Sequence, residues 1–297
     1  MSDHKHNSFP NFFILGAAKA GTTSLHGMLT QHPEIFMTRN KETQFFFNDN
    51  EYALGINHYL TTNFSGAWRY PVRGEASPSY FHAPERVAPR LLDSPGRDEM
   101  KFVVVLRDPV QRAWSHYLHR VRLCAEPCTF EDAIACEEKR LRNDPHLWVG
   151  YYRDGLYGKL LNEWFEYFPR DRFVIVRYES MVSEWQAMLN NIATHLGVSA
   201  DYSWNKLEEK NVAGVPRSKW LMRFLADIPA PLKNAGKLFL GRDQIVHYRE
   251  LVRRLNTKRS AKPALNPEVE RMLRGRYEED ITTLERLLGA DFSAWKL

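Results

Sequence analysis

Apolar residues fall along this chain in two rhythms. Unbroken runs rich in Phe, Val, Leu and Ile occupy 12–15, 102–106 and 173–176. Runs of that length and composition predict strands over 12–16, 102–106 and 173–176, buried on both faces as in a parallel sheet. Elsewhere apolar positions recur every three or four residues, as Leu156, Leu160, Leu161, Trp164 and Phe168 do. That spacing predicts helices over 22–31, 109–121, 129–142, 155–168 and 184–196, the last closed near Gly197. A short extended piece is expected near 34–37, and 48–70 reads as irregular structure with short helices. The last third reads as largely helical. Strands alternating with helices predict an α/β fold, a central parallel sheet flanked by helices on both faces. Ligands of such a sheet lie beyond the carboxyl ends of its strands. Residues 1–10 read as a flexible polar tail and 11–297 as a single domain, with no internal repeat.

The chemistry concentrates where the first strand ends. Residues 12–24 read FFILGAAKAGTTS. A strand, a loop of small residues and a helix N-terminus build an anion cradle, because backbone N–H groups and the helix dipole converge on it. Gly16 and Gly21 have the spacing of the phosphate loop G-x-x-x-x-G-K-[ST]. The Lys does not follow: Thr22 takes its place and Lys19 lies inside the loop. A nucleotide triphosphatase uses that Lys on its β- and γ-phosphates. The loop therefore points to a phosphate ester or its sulfated relative rather than to ATP chemistry.

Residues 102–117 read FVVVLRDPVQRAWSHY. Arg107 ends a strand, Asp108 is placed as an N-cap and Pro109 as the first helical residue. Ser115 follows about two turns along the helix. A forked guanidinium and a hydroxyl can together hold one phosphate.

The two segments together resemble those of sulfotransferases that use 3′-phosphoadenosine 5′-phosphosulfate (PAPS). The motifs are most similar to bacterial members and to the carbohydrate and heparan-sulfate type. The resemblance implies a P-loop, nucleotide-kinase-like sulfotransferase fold. It implies that Lys19, Ala20, Gly21, Thr22, Thr23 and Ser24 hold the 5′-phosphosulfate, with Lys19 also the cation beside the transferring group. Arg107 and Ser115 then hold the 3′-phosphate, with Pro109 and Arg112 matching the same motif. VRYESM at 176–181 is similar to a segment whose Tyr holds the adenine, which implies Tyr178. NVAGVPRSK at 211–219 is similar to a late segment that closes over the 3′-phosphate, which implies Arg217 with Ser218 behind it. Residues 266–295 resemble the closing helix of bacterial members.

Residues 39–47, RNKETQFFF, set a Lys-Glu pair ahead of three Phe. Beside such an aromatic wall Glu42 is expected to be partly desolvated, which raises carboxyl basicity. The segment resembles one in the carbohydrate group whose Glu is the proposed base. Carried over, Glu42 is the base and Lys41 stands near the transferring group or acceptor. His82 and His116 are substitutes for that role. GEASPSYF at 74–81 resembles a Glu-Lys-[Ser/Thr]-Pro-x-Tyr segment, matched by Glu75, Ser77, Pro78 and Tyr80, with Ala76 in place of the Lys. Glu75 either orients the base or acceptor, or is a structural hydrogen-bond acceptor.

Composition narrows the picture only a little. The charge is +5, from 41 basic and 36 acidic residues, a mild lean toward anionic ligands and not a nucleic-acid signature. No apolar stretch has the ~20 residues of a membrane span, and the start of the chain lacks a signal-peptide core. The expected location is cytoplasmic. Cys124, Cys128 and Cys136 make an odd, sparse set that describes neither a disulfide framework nor a zinc site. No motif suggests a metal. Residues 233–262 carry nine Lys or Arg against two acids. That stretch reads either as a basic wall for an anionic acceptor or cofactor, or as a solvated helical face. The resemblance implies PAPS as co-substrate and a sugar, polysaccharide or glycolipid hydroxyl or amine as acceptor. A phenol or lipid alcohol acceptor, a phosphate-loop kinase or ATPase, and a non-catalytic binder of anionic polymers stand as alternatives.

Overall fold

The computed structural model describes residues 8–144, 147–205, 214–216, 257–259 and 263–297. The chain forms two compact units, one of residues 1–113, 152–208 and 271–297, the other of 114–151 and 209–270.

The first unit is built on a five-stranded sheet whose strands are all parallel. They are β1 (Phe12–Gly16), β2 (Ile35–Met37), β3 (Val72–Ala76), β4 (Lys101–Leu106) and β5 (Phe173–Arg177). Their order is β2-β3-β1-β4-β5. The chain therefore leaves β1 toward one edge and returns to β4 on its other side. That reversal opens a crevice at the carboxyl end of β1, the place where such sheets bind ligands. The helices, in chain order, are α1 (Thr22–Leu29), α2 (Asp49–Tyr52), α3 (Ile56–Asn63), α4 (Pro84–Leu92) and α5 (Pro109–Arg122). There follow α6 (Phe130–Ala135), α7 (Glu137–Asn143), α8 (Tyr157–Tyr167), α9 (Tyr178–Ser183), α10 (Trp185–Leu196) and α11 (Pro267–Leu288).

The core of this unit is aromatic. Phe102 lies 6.0 Å from the Phe13 ring and 4.8 Å from those of Phe168 and Phe173. All four rings are buried; each contributes roughly 1.5–3 kcal/mol on burial. Gly197 closes α10 in the left-handed region, φ 80°. Phe9, just before β1, is also buried, and its carbonyl accepts from Arg73 Nε at 2.9 Å.

Three elements differ from the sequence reading. Among the described residues strand β5 is an edge strand bonded only to β4, and its Val174 and Ile175 are part-exposed rather than buried. The helix expected over 129–142 is two helices broken at Cys136, where φ is −98° and ψ 4°. Cys136 Sγ donates to the Asp132 carbonyl at 2.7 Å, a local bond of the kind that bends helices. Strand β3 was hidden by its sequence, VRGEA, which has no apolar run. It is nonetheless wholly buried, because Arg73 donates to the carbonyls of Phe9, Tyr70 and Pro71, while hydroxyls satisfy Glu75.

In the second unit Glu126 is buried and accepts from Arg140 at 2.7 Å and from Tyr151 Oη at 2.6 Å. The three cysteines are free thiols. Within the stretch expected to be largely helical, β6 (Gly214–Pro216) pairs antiparallel with β7 (Thr257–Arg259). The rest of the basic 233–262 stretch lies outside the described residues.

Candidate functional site

The loop after β1 is stitched to β4 at its first residue, since Ala17 N–H donates to the Val105 carbonyl at 2.8 Å. It then turns through two left-handed residues, Lys19 at φ 70° and Gly21 at φ 92°. Gly21 is the N-cap of α1, and Ser24 and Leu25 donate to its carbonyl. Ala20 and Thr22 are buried, Ser24 half-buried and Thr23 exposed. The first N–H groups of a helix have no partner within it, and the first turn of α1 holds no acid to oppose an anion.

Arg107 follows the end of β4 beside this loop. Its Nη1 donates to the Lys19 carbonyl at 3.1 Å, and its guanidinium lies 4.6 Å over the Tyr178 ring. Tyr178 also packs on the loop: a Cβ on Gly21 would stand 3.1 Å from its ring. Lys19, Gly21, Arg107 and Tyr178, read from separate segments of the sequence, thus meet at the crevice. Asp108 caps α5, its Oδ1 accepting from Val110 and Gln111 N–H at 2.9 and 3.1 Å. Its Oδ2 pairs with Arg274 at 3.0 Å. The Tyr157 hydroxyl donates to the Arg107 carbonyl at 2.9 Å, a contact the sequence did not signal beyond an aromatic residue opening a helix.

Ser115, His116 and His82 make none of the contacts just described. Ser115 is half-buried on the part of α5 that belongs to the second unit. Arg217 and Ser218 lie outside the described residues. His116 is buried in the second unit against the rings of Trp148 and Tyr151, at 4.4 and 4.9 Å. His82 is nearly buried in the first unit, its Nδ1 3.7 Å from Asp154 Oδ2. Burial holds the His82 pKa below its ordinary value, against the opposing pull of Asp154.

Of the Lys-Glu pair, Glu42 is presented outward and Lys41 is largely covered. Glu42 is 48% exposed and accepts from Lys41 Nζ at 2.6 Å. The desolvation expected for Glu42 is therefore absent, because Phe45 and Phe46 turn into the core while Glu42 turns out. The buried carboxyl is that of Glu75. It accepts from the hydroxyls of Tyr80 at 2.8 Å, Tyr59 at 3.0 Å and Ser77 at 3.3 Å, and from Thr43. Burial pushes the Glu75 carboxyl up to about 7, although each of these bonds pulls it down. Lys41 also feels α1. Burial holds His26 below its ordinary pKa, its ring hydrogen bond to the Thr38 carbonyl opposes this, and the Lys41 charge lowers it further. Among the described residues no three His, Cys, Asp or Glu side chains are placed to hold a metal ion, and no helix is long and apolar enough to cross a membrane.

Comparison with known proteins adds an independent observation. Residues 9–223 match the family model of the sulfotransferase domain. The chain is 26% identical over 213 residues to the human bifunctional heparan sulfate N-deacetylase/N-sulfotransferase 3, covering 66% of this chain and 23% of that protein. It is 29% identical over 185 residues to the mouse heparan sulfate glucosamine 3-O-sulfotransferase 5, covering 59% of this chain and 49% of that one. The chain thus spans about a quarter to a half of the length of these relatives. A sulfotransferase crystal structure from Alicyclobacillus acidocaldarius superposes with TM-score 0.70 and 25% identity, covering 97% of this chain and 98% of that one.

Proposed function

The chain belongs to the sulfotransferase family, and from that premise we propose that it moves a sulfonate group from PAPS to a hydroxyl or amine of a carbohydrate acceptor, a polysaccharide or glycolipid. The observation that carries this reading is the junction of the β1 loop with Arg107 and Tyr178. A loop that ends in a left-handed glycine and opens a helix without acids suits a 5′-phosphosulfate. An Arg at the adjoining strand end, lying over an aromatic ring, suits a 3′-phosphate beside an adenine.

In the reaction the acceptor oxygen or nitrogen forms a bond to sulfur as the bond from sulfur to the 5′-phosphate oxygen breaks. 3′-Phosphoadenosine 5′-phosphate (PAP) leaves with that electron pair. Lys19 and the N–H groups at the start of α1 meet the charge that grows on the departing oxygen. Glu42 takes the acceptor proton. Support for Glu42 comes from its exposure on the turn that follows β2, with Lys41 Nζ at 2.6 Å from its carboxylate. The heparan sulfate relatives favour a sugar acceptor over a phenol.

Calorimetric titration with PAP and with adenosine 5′-phosphate tests the reading. Strong preference for the 3′-phosphorylated nucleotide, lost in Arg107→Ala, is expected. Equal binding of both, or binding only with magnesium, overturns it.

A further inference from the structure

We propose that Glu75 is a positioning residue for proton transfer: its buried carboxylate sets the turn 41–46 that presents Glu42. The inference rests on the reading of Glu42 as the base. It starts from a contradiction in cost. A fully buried carboxylate with no cation bonded to it is expensive, and here four hydroxyls from 43, 59, 77 and 80 are spent on it.

What the carboxylate supplies is direction. Above the pH of about 7 at which it titrates, the ionised carboxylate only accepts, so every hydroxyl around it must then donate inward. Each such hydroxyl then turns a lone pair outward, and three of those lone pairs meet the turn, that of Thr43 accepting from Phe45 N–H at 3.3 Å. The Ser77 hydroxyl donates to Glu75 and accepts from Gln44 N–H at 3.1 Å. The Tyr80 hydroxyl donates to Glu75 and accepts from Phe46 N–H at 3.1 Å. Thr43 donates to Glu75 directly, and the Lys41 carbonyl accepts from Ala76 N–H at 3.3 Å. Residues 41, 43, 44 and 46 are thereby tied to the stretch 75–80, and Gln44 is held in the left-handed region at φ 54°. Phe45 adds a stacked contact with Tyr59 at 4.3 Å. Glu42 stands between two tied residues with only its own side chain outside.

Glu75→Gln is the discriminating substitution. It keeps the shape but puts an NH2 donor where one oxygen was, so hydroxyls facing it must reverse and their backbone partners lose an acceptor. Three measurements are made on wild type and variant: PAP affinity by calorimetry, amide hydrogen exchange over 38–47, and PAP release from PAPS with de-N-sulfated heparin as acceptor. PAP affinity is expected to stay within about twofold: the Glu75 backbone pairs with Phe13 of β1, but its carboxyl bonds to Thr43, Tyr59, Ser77 and Tyr80 and not to the loop 17–21 or Arg107. Exchange over 41–47 is expected to accelerate while β1 and β4 stay protected. The kcat of transfer is expected to fall by on the order of a hundredfold with KM for PAPS unchanged, the signature of a misplaced reacting group. Unchanged exchange, or a loss confined to PAP affinity, overturns the proposal. Absence of PAP binding in the wild type overturns the proposed function instead, as absence of transfer to this acceptor overturns the acceptor class. In either case the exchange measurement still decides whether Glu75 holds the turn. If Glu75→Gln does not fold, Tyr80→Phe removes one relay alone, and faster exchange at Phe46 is the supporting result and unchanged exchange the overturning one.

Discussion

Arg107 lies over the Tyr178 ring with its guanidinium carbon 4.6 Å from the ring centroid, while its Nη1 donates to the Lys19 carbonyl. The ring and the carbonyl together fix the plane of the fork. A free Arg would have to give up rotamer entropy each time it met a phosphate; this one has given it up on folding.

Tyr178→Ala is therefore expected to weaken PAP binding by roughly tenfold, the scale of a lost cation–π contact together with the adenine contact proposed for Tyr178. Tyr178→Phe keeps the ring and is expected to stay within about threefold, since the face of the ring does the holding. Calorimetry on the three proteins decides it. Equal losses in both variants would assign the effect to the hydroxyl.

Gly21→Ala tests the other side of the same contact. At φ 92° a side chain costs about 1–2 kcal/mol. The added Cβ also stands 3.1 Å from the Tyr178 ring, which must give way. The variant is expected to unfold at lower urea by that amount and to bind PAP at least tenfold more weakly, because the displaced ring carries Arg107 with it.

The parts legible in the sequence are those whose physics is local. An anion cradle needs a strand, a small-residue loop and a helix in immediate succession, and 12–24 spells all three. Asp108 and Pro109 start α5 within two residues of Arg107. What was hidden depends on partners far along the chain. Arg73 and Glu75 disguise β3 because the groups that neutralise their burial come from Phe9, Thr43 and Tyr59. Desolvation was placed on the wrong carboxyl for the same reason. Three consecutive Phe announce an apolar wall at 45–47, but backbone direction decides which neighbour faces it, and Thr43 rather than Glu42 turns in.

Glu75 makes stability depend on pH in an unusual sense. Its folded carboxyl sits at about 7 against an ordinary value of 4.5. Between those values the unfolded chain has lost the proton and the folded chain retains it. Stability therefore falls as pH rises through that window and levels off above it. The full fall is about 3 kcal/mol, from the free energy of one pKa unit. Urea midpoints at pH 5 and pH 7.5 are expected to show most of this drop in the wild type and to lose it in Glu75→Gln. A midpoint that rises over the same interval in the wild type would contradict the burial of an ionisable Glu75.

Asp280 offers a test of how the chain's last long helix supports the site. Helix α8 has Leu156 at its N-cap position, a residue with no side-chain acceptor. The acceptor comes instead from α11, where the Asp280 carboxylate takes the N–H groups of Gly158 and Lys159, each at 2.9 Å. So close an approach leaves no room for a side chain at 158, where a Cβ would stand 2.4 Å from the Asp280 carbonyl. The same turn of α8 carries Tyr157, whose hydroxyl holds the Arg107 carbonyl. Asp280→Ala is expected to cost about 1–2 kcal/mol, the loss of an N-cap, and Asp280→Asn less, because one oxygen remains to accept. If capping is the whole role, the urea midpoint falls in that order and PAP affinity at saturating stability does not move. If the cap also fixes Tyr157, PAP affinity falls with it, and Tyr157→Phe reproduces that loss with Asp280 intact. An Asp280→Ala protein that unfolds at the wild-type urea concentration would show that α8 holds its first turn through the core contacts of Leu160, Leu161 and Trp164 alone.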